Sequence, residues 1–190
     1  NTSTAGASVD LICSKLHHLT EATFEPALAL LLESQFDPQA GKMKTQFVDI
    51  LQECRALRLS NEEINCVCWL LTAAAECTDA SELPLHRLKP LLSDRRSPLL
   101  LDLLKATALG ENRASTDASF LEEYQNRVPA EFLNPPALVD GTDVKALGLK
   151  AGPVFKLLLT AIRNVQLDEK ISTRQDALDL LRQLSTTIDS

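Results

Sequence analysis

The sequence predicts an all-α protein, a multi-helix body followed by a small helical tail. Three observations carry that expectation. Apolar residues recur at three- and four-residue spacing through almost the whole chain. Leu and Ala dominate, while aromatic residues make up 4% and Gly fills only 6 of 190 positions. No window alternates apolar with polar residues as a half-buried strand does. Leu and Ala lose little side-chain freedom on entering a helix, whereas β-branched and aromatic residues lose more.

The elements follow in order. Asn1 to Ser8 is small and polar and reads as a disordered or non-native lead. From Val9 to Val128 the chain reads as the body. Its first helix carries Val9, Ile12, Cys13, Leu16 and Leu19. Pro26 opens a second helix that ends before Asp37-Pro38, and Phe47, Ile50, Leu51, Cys54 and Leu57 mark a third. Ser60-Asn61-Glu62-Glu63 is a capping box, in which the Ser side chain and the Glu three residues on satisfy each other's backbone N–H groups. Leu85 to Leu92 predicts a short helix. Pro98 suits the first position of the next, and Gly110 is read as the residue just past its end. Asp117 to about Val128 places Phe120, Leu121 and Tyr124 on one face.

Three prolines between Pro129 and Gly141 predict a hinge, and residues 142–190 form the tail. There Thr142 is read as the cap of a short helix to Leu147. A turn with a glycine at each end follows, then a longer helix from Pro153. Ser172 or Thr173 caps the last helix.

Composition narrows the functions. The net charge of −7 argues against a generally basic nucleic-acid binder. The acidity is uneven, however. Residues 1–137 carry 12 Lys and Arg against 19 Asp and Glu, whereas residues 138–190 carry 7 of each. A local RNA contact in the tail is therefore permitted. The five cysteines (13, 54, 66, 68 and 77) form no CxxC pair and read as reduced core thiols of a cytoplasmic protein. No run of 18 apolar residues predicts a membrane span.

Chemistry-bearing patterns are few. Phosphoryl transfer to RNA needs closely placed carboxylates holding metal ions, and neither a DxD pair beside a Gly-rich turn nor a P-loop occurs. His17, His18 and His86 have no partners at metal-ligand spacing. No catalytic residue and no metal site is expected. The tail turn from Asp143 to Pro153 has a helix-hairpin-helix-like layout. Free N–H groups where the second helix starts attract phosphate, and Lys145, Lys150 and Lys156 add positive charge. By local physics alone the same residues better suit an ordinary helix end, an ordinary helix start and solvated lysines. Arg87/Lys89 and Arg95/Arg96 are basic clusters that suit either a phosphate clamp or salt-paired loops. Trp69 and Tyr124 suit the core better than base stacking.

These residues also resemble a family. Leu57-Arg-Leu-Ser-Asn-Glu-Glu63, Trp69-Leu70-Leu71 and Arg87-Leu-Lys-Pro-Leu91 resemble the body of bacterial class II tRNA nucleotidyltransferases, the CCA-adding enzymes and their poly(A) polymerase relatives. The stretch from Leu138 to Pro153, then Leu157-Leu158-Leu159, Thr173-Arg174 and Ala177-Leu178, resembles their C-terminal signature. The likeness runs from about Val9 to Leu184.

It implies a fragment that holds tRNA or another RNA 3′ end for a catalytic head and a nucleotide-selecting neck lying outside the chain. In that family the head works with Mg and CTP or ATP, so no cofactor is expected within these residues. Many relatives carry a metal-dependent phosphohydrolase (HD) signature after a stretch like Phe24 to Leu32. Here that stretch runs into Glu33-Ser34-Gln35 without a His-Asp pair, which implies a degenerate HD-like body. Position by position, the likeness makes Lys150, Gly152 and Lys156 the RNA-binding residues. Lys145 and Arg163 are added from local charge, while Arg58, Asn61 and Trp69 are read as structural. Two other readings compete: a degenerate HD-type scaffold that binds a protein partner, and a metal-dependent hydrolase.

Overall fold

The computed structural model describes residues 2–20, 23–33, 43–148 and 152–188, and the side chains of all of these except 2–8, 43–47 and 187–188. The chain is all-α, with no strand among the described residues. The α-helices are α1 (Thr2–His17), α2 (Phe24–Leu32), α3 (Met43–Ala56), α4 (Asn61–Glu76), α5 (Leu85–Ser93), α6 (Ser97–Gly110), α7 (Thr116–Arg127), α8 (Ala130–Leu133), α9 (Gly141–Ala146), α10 (Pro153–Leu167) and α11 (Arg174–Ile188). Helix α1 thus begins inside the segment expected to be an irregular lead. By compactness the chain forms two units, residues 1–82 with 94–127 and residues 83–93 with 128–190. The sequence reading set the body at 9–128, yet α5, inside that span, packs with the C-terminal helices.

In the first unit α4 and α6 form the centre. Helices α1 and α7 pack on α6, α2 packs on both, and α3 packs on α4. Val67, Leu70, Leu100 and Leu121 are buried at these contacts, with Leu28 and Leu30 from α2. The stripe expected on α1 is different in detail. Val9 and Cys13 are exposed, and the buried side chain is Lys15. Its Nζ lies 2.7 Å from Glu33 Oε2 and 2.7 Å from Glu111 Oε1, so the charge is buried with two counter-ions.

Lys15 also explains Gly110. That glycine is the last residue of α6, not the residue past its end. A Cβ built on it would stand 2.7 Å from the Lys15 Cα and N, closer than atoms pack. The glycine therefore serves a close helix crossing, and the left-handed residue past the helix is Asn112.

Three helices end in the same way. Arg58 after α3 (φ 60°), Asn112 after α6 (φ 52°) and Glu169 after α10 (φ 61°) are all left-handed. The following N–H in each case reaches the carbonyl five residues back, at 3.2 Å for Leu59 to Cys54, 2.8 Å for Arg113 to Ala108 and 3.1 Å for Lys170 to Val165. This closure normally takes glycine, since a left-handed L-residue costs about 1–2 kcal/mol. Arg58 is exposed, so Arg58→Gly is expected to raise stability by about 0.5–1 kcal/mol, after the extra chain entropy of glycine is subtracted. Urea unfolding checks this, and an unchanged or lowered midpoint would count against the assigned ending.

The second unit is built on α10, against which α5, α9 and α11 pack, with α8 beside α5. Its core joins Val139, Val144, Leu158, Ile162, Ala177 and Leu181. Asp140 caps α9, replacing the expected Thr142. Its Oδ1 accepts from the N–H groups of Thr142 (2.7 Å) and Asp143 (3.4 Å), while Asp143 Oδ2 accepts from Asp140 N–H at 2.9 Å. Thr173 caps α11, accepting from Asp176 N–H at 3.1 Å.

Candidate nucleic-acid interface

The flanks of the α9–α10 corner are described on either side of residues 149–151. Val144 and Leu158 anchor its two helices in the core, whereas Lys145, Gly148, Gly152 and Lys156 are exposed. Gly148 has φ +82°, a left-handed turn that favours glycine, and no described atom stands within 4 Å of a Cβ there. Gly152 is extended (φ −179°), a conformation open to any residue, and precedes Pro153 without a side-chain cap. Lys150 lies outside the described residues.

This helix start offers fewer free amides than four. Pro153 brings no N–H, and that of Phe155 donates to the Gly152 carbonyl at 3.1 Å. The electrostatics therefore depend more on side chains. Among the described residues neither Lys145 nor Lys156 has an ion-pair partner. The nearby carboxylates are engaged: Asp143 Oδ1 accepts from Arg174 at 2.6 Å, and Asp140 accepts the backbone of α9. Those backbone hydrogen bonds hold the Asp140 carboxyl below its usual range, with Arg174 adding to the effect. A chain with net charge −7 thus presents, at this corner, two ammonium groups with no carboxylate partner among the described residues.

Arg163, the remaining candidate, is engaged elsewhere. It sits two turns further along α10, where its guanidinium donates to Asn134 Oδ1 (2.7 Å) and Gln166 Oε1 (2.9 Å). Gln166 in turn donates to the Pro136 carbonyl at 2.7 Å. This network pins the proline-rich segment to α10.

The other basic clusters are paired. Arg95 meets Glu62 at 2.6 Å. Arg96 forms a fork with Asp94 (2.8 and 2.7 Å) and lies 4.2 Å from the centre of the Trp69 ring. The fork holds the Asp94 carboxyl down and the guanidinium up. Lys89 is buried and meets Glu169 at 2.8 Å. Tyr124 lies against Phe120 and Arg127.

Sequence reading missed one pairing. His86 Nδ1 lies 2.9 Å from Asp168 Oδ1, and the His86 N–H donates to the same oxygen. The partners are 82 residues apart, beyond any spacing rule. Burial raises the Asp168 pKa, but hydrogen bonds from His86 and Lys170 overcome it and leave the pKa lowered.

Cys54, Cys66 and Cys77 are buried, Cys68 half-buried and Cys13 exposed, so the core-thiol expectation fails at Cys13. Burial pushes Cys77 up to about 12 and raises Cys54, Cys66 and Cys68, which keeps these thiols protonated and unreactive. No group of three or more His, Cys, Asp or Glu side chains among the described residues could hold a metal ion. Ser34 and Gln35, where the HD pair would stand, lie outside the described residues. No helix among the described residues is long and apolar enough to cross a membrane.

Compared with models of protein families, with curated proteins and with solved structures, the chain gives no match. The functional reading therefore rests on the geometry above and on the sequence likeness.

Proposed function

We propose that this chain is the RNA-holding part of a tRNA nucleotidyltransferase or poly(A) polymerase-like protein, and that the α9–α10 corner seats the RNA backbone. The observation that carries the reading is the pair of exposed, carboxylate-free ammonium groups of Lys145 and Lys156 flanking an uncapped helix start. Phosphate gains from both features, the positive end of the helix and the mobile point charges beside it. Gly148, left-handed and exposed, adds no side chain of its own at the end of α9. Nucleotide addition belongs, in this reading, to a head and neck outside these residues, using Mg with CTP or ATP.

The test is tRNA binding across a salt series. With two or three phosphates contacted, log K is expected to fall against log[salt] with a slope of about −2 to −3. Combined Lys145→Glu and Lys156→Glu is expected to weaken binding at low salt by roughly 10–100-fold and to flatten the slope. Arg95→Glu, in the other unit, leaves both unchanged. An equal loss with Arg95→Glu would make the effect general electrostatics, and no binding at low salt would leave the protein-scaffold reading in its place.

A further inference from the structure

We infer that the groove between the 137–139 segment and α10 binds a small aliphatic carboxylate, its acid group held by Arg163 and its chain laid along Leu138, Leu159 and Ile162. The groove has a volume of about 380 Å³. That lies near the small end of the roughly 300–1,000 Å³ typical of small-molecule sites. Its lining is mostly apolar, with Val139 and Ile162 buried, and its polar side chains are Thr160, Arg163 and Gln166 of α10. An apolar wall with a few convergent polar groups is the usual build of a site for a small amphipathic molecule.

Arg163 gives the ligand its sign. Arg95, Arg96, Arg113, Arg174 and Arg182 each meet a carboxylate. Among the described residues Arg163 meets only the neutral amide oxygens of Asn134 and Gln166. It is half-buried, and its burial lowers the guanidinium pKa, with no carboxylate among the described residues paired to it. A partly desolvated cation without a counter-ion is an unfavourable arrangement that an incoming anion relieves. Two of the five guanidinium N–H groups are used, which leaves donors for a carboxylate. The single cation matches a single negative charge, and the apolar lining favours hydrocarbon over sugar. The inference is independent of the RNA reading, because the lysines at the corner take no part in it.

Octanoate, octan-1-ol and acetate, each added at millimolar concentration to the full 190-residue chain, provide the test. Octanoate is expected to raise Tm with concentration and to give nuclear Overhauser contacts from its methyl end to Leu159 and Ile162. Octan-1-ol, with the same chain and no charge, binds at least tenfold more weakly, and so does acetate, which lacks the chain. Arg163→Gln, which retains hydrogen-bonding groups for Asn134 and Gln166, lowers octanoate binding to the level of the alcohol. Equal binding of acid and alcohol would overturn the proposal. So would contacts from octanoate to residues elsewhere, wild-type affinity in Arg163→Gln, or no octanoate binding at all. If Arg163→Gln does not fold, the acid-against-alcohol comparison and the Overhauser contacts in the native chain decide alone.

Discussion

Replacing Lys15 by Met is expected to destabilise the first unit by about 3 kcal/mol, toward the lower end of what removing one partner of a buried ion pair costs. Met retains most of the aliphatic stem, so the loss isolates the charge. In the native protein the Lys15 side chain is 7% exposed and its ammonium stands 2.7 Å from both Glu33 and Glu111. Burial alone would lower its pKa, but the two carboxylates outweigh burial and raise it. Glu111 behaves reciprocally: burial raises its carboxyl, while Lys15 and Arg113 outweigh that and hold it low. Glu33 is 43% exposed and partly rescued by water, which is why the loss stays below the upper limit for such pairs.

The signs predict a pH profile. A lowered Glu111 pKa supplies stability that is present above its unfolded value, about 4.3, and disappears as pH falls through the folded one. The raised Lys15 pKa supplies stability that is present below about 10.4 and disappears as pH rises through the folded value. In Lys15→Met, half-buried Glu33 has lost its cation and Glu111 keeps only Arg113, so protonation should cost the variant less than it costs the native chain. As pH falls through the carboxylate range, the variant is therefore expected to lose less stability than the native protein, so the difference between the two narrows from pH 7 to pH 4. Urea midpoints at the two pH values check this. A variant as stable as the native chain at pH 7 would show that the triad contributes nothing.

Gly110→Ala should also destabilise, by about 2–3 kcal/mol, the range for overpacking a site that cannot relax. An added methyl meets the Lys15 Cα and N at 2.7 Å, and backbone cannot move aside as a flexible side-chain end can. Helix α1 must shift from α6, which disturbs the Lys15 ion pairs as well. The sign is diagnostic, because intrinsic propensity alone would make Ala the better residue at a helical position by up to about 1 kcal/mol. A fall in Tm of several degrees is therefore expected, and a rise would mean that the two helices do not cross there.

Local features of the fold were readable. The Ser60–Glu63 capping box forms as expected, with Ser60 N–H to Glu63 Oε2 at 2.7 Å, because every group involved lies within four residues. The cap on α11 was readable for the same reason. Features decided at long range were not. Gly110 looked like a helix terminator because nothing in its neighbours announces a helix from the start of the chain. Nothing near Lys15 in the sequence marks it as buried, because its partners are 18 and 96 positions away. Asp140 was passed over because it stands in a proline-rich stretch that reads as loop, and α5 gave no sign that it packs with the C-terminal helices.

The candidate corner was legible in part. Lysines and glycines at those spacings could be read directly. The pairing that sets its charge, with Asp143 taken by Arg174, 31 residues away, could not. Neither could the engagement of Arg163, whose partner Asn134 is 29 residues distant.

Backbone amide signals of the isotopically labelled chain, followed while tRNA is added, test the central claim most directly. The account predicts that the largest shifts fall on Lys145, Gly148, Gly152, Val154 and Lys156, and that they vanish at high salt. Shifts confined to the first unit, or a spectrum that tRNA leaves unchanged at low salt, would contradict it.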